Sequence, residues 1–107
     1  MGRLHLITRA DLPPGDQAVQ AAHALTEFVV EHAGAAQKWH RESNTLALLA
    51  APDEKALERM LDRAFDLGIL SASFREPDLG NSLTAIAIEP NGARICRNLP
   101  LAFSSAG

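Results

Sequence analysis

Apolar positions recur along this chain with two different periods. Leu4 to Thr8 is a short apolar run in which Leu4 and Leu6 alternate, and it predicts a first strand. Arg9 to Gly15 follows with Pro13, Pro14 and Gly15, which cannot continue a strand. Asp16 is placed to cap a helix over Gln17 to about Ala33, in which Ala18, Ala21, Ala22, Leu25, Phe28, Val29 and His32 fall at three- and four-residue intervals. The small Ala18, Ala21 and Ala22 predict that this helix approaches a sheet closely at its start, and Gly34 predicts where it stops.

Ala35 to Arg41 reads as a short helix or a loop, with Trp39 closing the edge of the core. Thr45 to Ala50 is almost continuously apolar and predicts a second strand. Asp53 is the expected N-cap of the next helix and Glu54 lies in its first turn; Ala56, Leu57, Met60, Leu61, Ala64 and Phe65 form its apolar stripe, and Gly68 ends it. Ile69 to Phe74 predicts a third strand, Arg75 to Ser82 a polar loop, and Leu83 to Ile88 a fourth strand. Pro90-Asn91-Gly92 turns the chain into a last helical turn or two over Ala93 to Asn98. The order β-α-(α)-β-α-β-β-(α) predicts an α/β domain, a small mixed sheet of about four strands packed by helices, parallel where helices cross over and antiparallel at its end.

Composition narrows the class. The 107 residues, 47% hydrophobic and 21% charged, predict one domain over 1–107, large enough to bury roughly two-thirds of its unfolded surface. The net charge of −3 argues against a module that binds nucleic acid by bulk charge, although ten Lys and Arg leave room for a local basic patch. The single Cys96 forbids an intrachain disulfide and fits a reducing compartment. The apolar stretch at the N-terminus is too short and interrupted for a signal peptide, Leu6 breaks the myristoylation pattern, and no uncharged run is long enough to span a bilayer. A cytoplasmic location without membrane contact is therefore expected.

The candidate chemistry is sparse. His5, His23, His32 and His40 show no close His–His spacing and Cys96 has no Cys-x-x-Cys partner, so neither a metal nor a cofactor is expected. Cys96 is expected to pack as a small hydrophobe. No Gly-rich phosphate loop and no Gly-x-Ser-x-Gly elbow occurs. Aromatic residues are 5% with no Tyr, which does not favour a base-stacking platform. Asp16, Gln20, His23 and Glu27, spaced four-three-four, share one helix face, either a solvated face or a row that holds a water or substrate. Glu76 and Asp78 flank the stiff Pro77, and paired carboxylates can perform acid–base work or can simply be solvated. Ser82 and Thr84, two residues apart, point to one side of a strand that begins there.

Three segments together resemble the peptidyl-tRNA hydrolase 2 family. Arg9-Ala10-Asp11-Leu12, Gly15 and Ala18-Val19-Gln20-Ala21-Ala22-His23-Ala24 are similar to the family's R-x-D-L strand end and its G-K-x-A-x-Q-x-x-H-A helix. Leu83 to Pro90 is similar to T-x-T-V-L-A-I-G-P, and Asn98-Leu99-Pro100-Leu101 to the closing G-x-L-x-L. The resemblance covers most of the chain. It implies water attack on the ester joining a peptide to the 3′ end of tRNA, with a polar network that activates the water and steadies the oxyanion.

Residue by residue, Gln20, His23 and Thr84 match, and Ser82 keeps a hydroxyl at the family's Thr. Asp16 occupies the family's Lys position, and an ungapped alignment puts Ala72 at its Asp. Glu76 and Asp78 are then expected to replace the acid, and Arg9 or Arg75 to supply a cation for tRNA. Two further readings stay open: a family-fold protein that has lost the activity and binds a small ligand or protein partner, and a different hydrolase built on Glu76, Asp78 and His23. An exposed apolar edge would support a homodimer.

Overall fold

A computed structural model describes residues 2–104 of the chain. Four strands, β1 (Leu4–Arg9), β2 (Leu46–Ala51), β3 (Ser71–Glu76) and β4 (Ser82–Ile88), form one sheet in the order β2-β1-β4-β3. β1 and β2 are parallel, while β4 runs antiparallel to both β1 and β3. The C-terminal ends of β1, β2 and β3 therefore share one sheet edge with the start of β4. Helix α1 (Pro14–Glu31) leaves β1, and α3 (Glu54–Asp66) leaves β2, from this same edge. In open α/β sheets, that is the edge where ligands bind.

The mixed α/β sheet is the one the hydrophobic pattern predicts, and the two faces divide the core. Under α1, Leu4, Leu6, Ala72, Ala85 and Ala87 pack against Ala21, Ala24 and Phe28. Under α3 and the 3-10 segment Pro90–Cys96, Ile7, Ile86 and Ile88 pack with Leu57, Ala64 and Cys96. Helix α2 (Ala33–Glu42) lies against α1, and the Trp39 indole N–H donates to the Thr45 carbonyl at 2.7 Å, closing the edge of the first cluster. The segment after Leu99 covers the outer edge of β2, where Ala50 N–H donates to Pro100 O at 3.0 Å and Ala102 N–H to Leu48 O at 2.9 Å. No helix among the described residues is long and apolar enough to cross a membrane.

Several boundaries differ from the sequence reading. Helix α1 begins at Pro14, not after Asp16, because proline at the first helical position has its φ already set and lacks only an N–H that would be unpaired there. Asp16 lies in the first turn, where its charge favours the helix dipole. The face of α1 turned to the sheet carries Gln17, Gln20, Ala21, Ala24 and Phe28; Ala18 and Ala22 face outward. Gly34 does not stop the helix. The break comes at His32, which leaves helical geometry at φ −128°, ψ 56°, with its ring Nε2 2.9 Å from Ser71 O on the edge strand.

Asp53 does cap α3, accepting from Ala56 N–H at 2.9 Å. Gly68, at φ +69°, closes the helix in a Schellman arrangement: Gly68 N–H donates to Phe65 O at 3.1 Å and Ile69 N–H to Ala64 O at 2.8 Å. That capping uses Ile69, so β3 starts two residues later than its apolar run, at Ser71, and carries Arg75 and Glu76 within the strand. Phe65, assigned to the buried stripe of α3, is instead 84% exposed.

Candidate functional site

The shared sheet edge gathers polar side chains because of one irregularity. Phe74 pairs with Ala85, but Arg75 pairs with Leu83, so Thr84 is an extra residue on β4. Beyond Thr84 the strand alternates with Ala85 and Ala87 under α1 and Ile86 and Ile88 under α3. Uninterrupted alternation would turn Thr84 toward α3. The bulge turns it toward α1, which is how bulges re-aim a side chain beside a site.

There Thr84, with no exposed surface, donates its hydroxyl to Gln20 Oε1 at 2.8 Å, with Phe74 O a second acceptor at 3.3 Å. Gln20, 4% exposed, donates its Nε2 to Glu76 Oε1 at 3.0 Å. The result is a directed chain, Thr84 to Gln20 to Glu76, that begins in the core and ends on a half-buried carboxylate. A parallel lock sits one turn earlier: Thr8 donates to Gln17 Oε1 at 3.0 Å and Gln17 Nε2 to Leu12 O at 2.7 Å. Both glutamines project from the sheet-facing side of α1, so the two chains tie the start of the helix to the sheet.

The other predicted residues are distributed around this chain. His23, one turn beyond Gln20, lies face to face on Phe74, with ring centroids 4.2 Å apart and planes 9° from parallel. Ser82 pairs with Glu76 across the strands, and its Oγ is 3.4 Å from Arg9 Nη1. Arg9 also reaches Leu83 O, but it is held by Asp11 through two bonds of 2.9 Å. That fork raises the Arg9 pKa and holds the Asp11 carboxyl below its ordinary range. Arg9 is thus a buttress with its charge already paired.

Arg75 projects to the opposite face of β3, 4.0 Å from Glu54, whose carboxylate also accepts from Leu83 N–H at 2.8 Å. Asp16 is exposed in the first turn of α1, and Asp78 is exposed in the short 3-10 turn Pro77–Leu79. The structure therefore brings Gln20, His23, Glu76, Ser82 and Thr84 together, places Arg9 at their margin, and leaves Arg75 on the other face. Ala72, the ungapped counterpart of the family's Asp, is buried in the core, and the acid beside Gln20 is Glu76, four residues on.

Sequence reasoning missed Phe74, Gln17 and Thr8. Gln17 and Gln20 are three apart on a helix, and Phe74 and Glu76 two apart on a strand, so the periodicities that place each pair on one face were present in the sequence. Among the described residues, no group of three or more His, Cys, Asp or Glu could hold a metal ion.

A family model described as peptidyl-tRNA hydrolase PTH2 matches residues 3–100. No curated protein sequence matches the chain significantly. Among solved structures, a protein of unknown function from Agrobacterium tumefaciens strain C58 is similar at 14% identity and a TM-score of 0.65, covering 92% of this chain and 96% of that one. At that identity the likeness concerns the fold alone.

Proposed function

The chain belongs to the peptidyl-tRNA hydrolase PTH2 family, and from that premise we propose that it hydrolyses the ester between a peptide and the 3′ end of tRNA. The observation that carries the reading is the chain from Thr84 through Gln20 to Glu76. A carboxylate held at one oxygen keeps its other oxygen for a water, and a group fixed in place loses little entropy on reaching the transition state.

In this mechanism Glu76 takes a proton from water as the water oxygen attacks the ester carbonyl. The carbonyl π pair moves onto oxygen, where the Ser82 hydroxyl stabilises the charge. Collapse re-forms the carbonyl and breaks the bond to the ribose oxygen, which takes the proton back from Glu76. Gln20 and Thr84 are positioning residues, since both are buried and act through their neighbours.

A second reading, binding of a small ligand or a protein partner without hydrolysis, is favoured by Asp16 at the family's lysine position and by the pairing of Arg9 with Asp11. An anion on the rim repels a phosphate backbone, and a paired arginine contributes little to attracting one. Release of peptide from N-blocked aminoacyl-tRNA by purified protein separates the two. Turnover that rises with enzyme concentration supports hydrolysis. No release at high enzyme concentration rejects it in favour of ligand binding.

A further inference from the structure

Gln20 and His23 lie one helical turn apart on α1, directly over Glu76 and Phe74, which lie two residues apart on β3. The strand rise separates the Phe74 position from Glu76 by about 6–7 Å. The His23 ring rests flat on Phe74 with one face, and His23 is an exposed residue. A planar ring backed by a second ring, on a residue exposed to solvent, is a surface for stacking.

We propose that His23, backed by Phe74, is a stacking platform for one nucleobase, that of the 3′-terminal adenosine whose ribose carries the scissile ester. This rests on the hydrolase reading above and deepens it. Glu76 shares the α1-facing side of β3 with Phe74, so a base on His23 is held on the same face as the carboxylate. Stacking also answers the charge problem of this chain. A neutral base meets no repulsion from Asp16 or from a net charge of −3, and the π-face interaction needs no free cation. The low aromatic content excludes an extended platform, but two rings are enough for one base. Phe74 fixes the tilt of the imidazole, so the platform is already formed before substrate arrives.

The test uses the trinucleotide CCA as probe and intact peptidyl-tRNA as substrate. On adding CCA, the His23 ring protons are expected to shift in the NMR spectrum. His23→Ala should weaken CCA binding and raise KM for peptidyl-tRNA by roughly 5- to 150-fold with kcat little changed, which is the worth of one stacked base. His23→Phe should restore both, with a thermal midpoint near that of the parent protein showing that the ring and not the imidazole is needed. Unshifted ring protons together with intact hydrolysis, or a His23→Ala protein that binds CCA as tightly as the parent, overturns the platform. Ring shifts without any hydrolysis uphold the platform and reject the hydrolase reading. Absence of both rejects the two together.

Discussion

The Thr84 hydroxyl sits 2.8 Å from Gln20 Oε1, and it does so only because β4 carries one residue more than the strand beside it. Neither residue has appreciable contact with solvent. A buried polar pair of this kind is stable when both members are satisfied and costly when one is removed.

Replacing Thr84 by Val keeps the shape and removes the donor. Gln20 Oε1 is then buried without a partner, and unfolding in denaturant should show a loss of about 1–3 kcal/mol. Thr84→Ser, which retains the hydroxyl, should recover most of the loss. On the proposed mechanism Thr84→Val also lowers kcat, because Gln20 no longer holds Glu76 in one orientation. Equal stability of the Val and Ser variants would contradict the hydrogen-bonded chain.

Gly92 is required by close approach. A Cβ at this position would strike Ile88 Cγ2 and come within 2.9 Å of Ile69 Cγ2, where the 3-10 segment crosses the end of the sheet. Gly92→Ala should destabilise the protein by about 1–3 kcal/mol, the usual range for overpacking. Thermal unfolding of the two proteins measures it. Gly15, by contrast, has open space around it among the described residues, and Gly15→Ala should be nearly neutral or stabilising.

The pH dependence of stability should carry the signature of His5. Its Nδ1 is buried without a partner among the described residues, and burial lowers its pKa below the ordinary 6.5, with the backbone of Ile88 and Glu89 offsetting part of the effect. The folded protein thus excludes a proton that the unfolded chain accepts. Stability is retained above the unfolded value and is lost as pH falls from there through the folded value. Denaturant unfolding at about pH 7.5 and about pH 5.5 should show the drop, and His5→Leu should reduce it. Asp11, held low by Arg9, contributes in a separate and more acidic window, lost only as pH falls through its depressed value.

Cys96 should be unreactive while the protein is folded. It is 4% exposed, and burial pushes its thiol pKa up to about 11. A thiol reagent should react slowly with the native protein and quickly in denaturant. Rapid labelling of the folded protein would show that the 3-10 segment opens.

The sheet, its four strands and both long helices were legible because their apolar runs are strong and their punctuation is chemical: Asp53 and Gly68 act where capping rules place them. The errors share a cause. Ile69 reads as strand but is taken by the helix cap, and Phe65 reads as core although its side of α3 faces water. A period locates a face only approximately when charged residues crowd its margin. At the site, Gln20 and His23 were visible as a motif and Glu76 as an acid. The bulge that brings Thr84 to Gln20 was not visible, because it is a property of how two strands pair. Likewise, the sequence shows Arg9 and Asp11 two residues apart, but only the fold reveals that they neutralise each other.

On the proposed mechanism Glu76, held by Gln20, activates the water. The most direct measurement is the kcat/KM for peptidyl-tRNA hydrolysis by the parent protein and by Glu76→Gln, which retains size and polarity but cannot take the proton. Measurable hydrolysis by the parent and a loss of about 10²–10⁴-fold in the variant are expected. Equal rates for the two proteins would rule out Glu76 as the base.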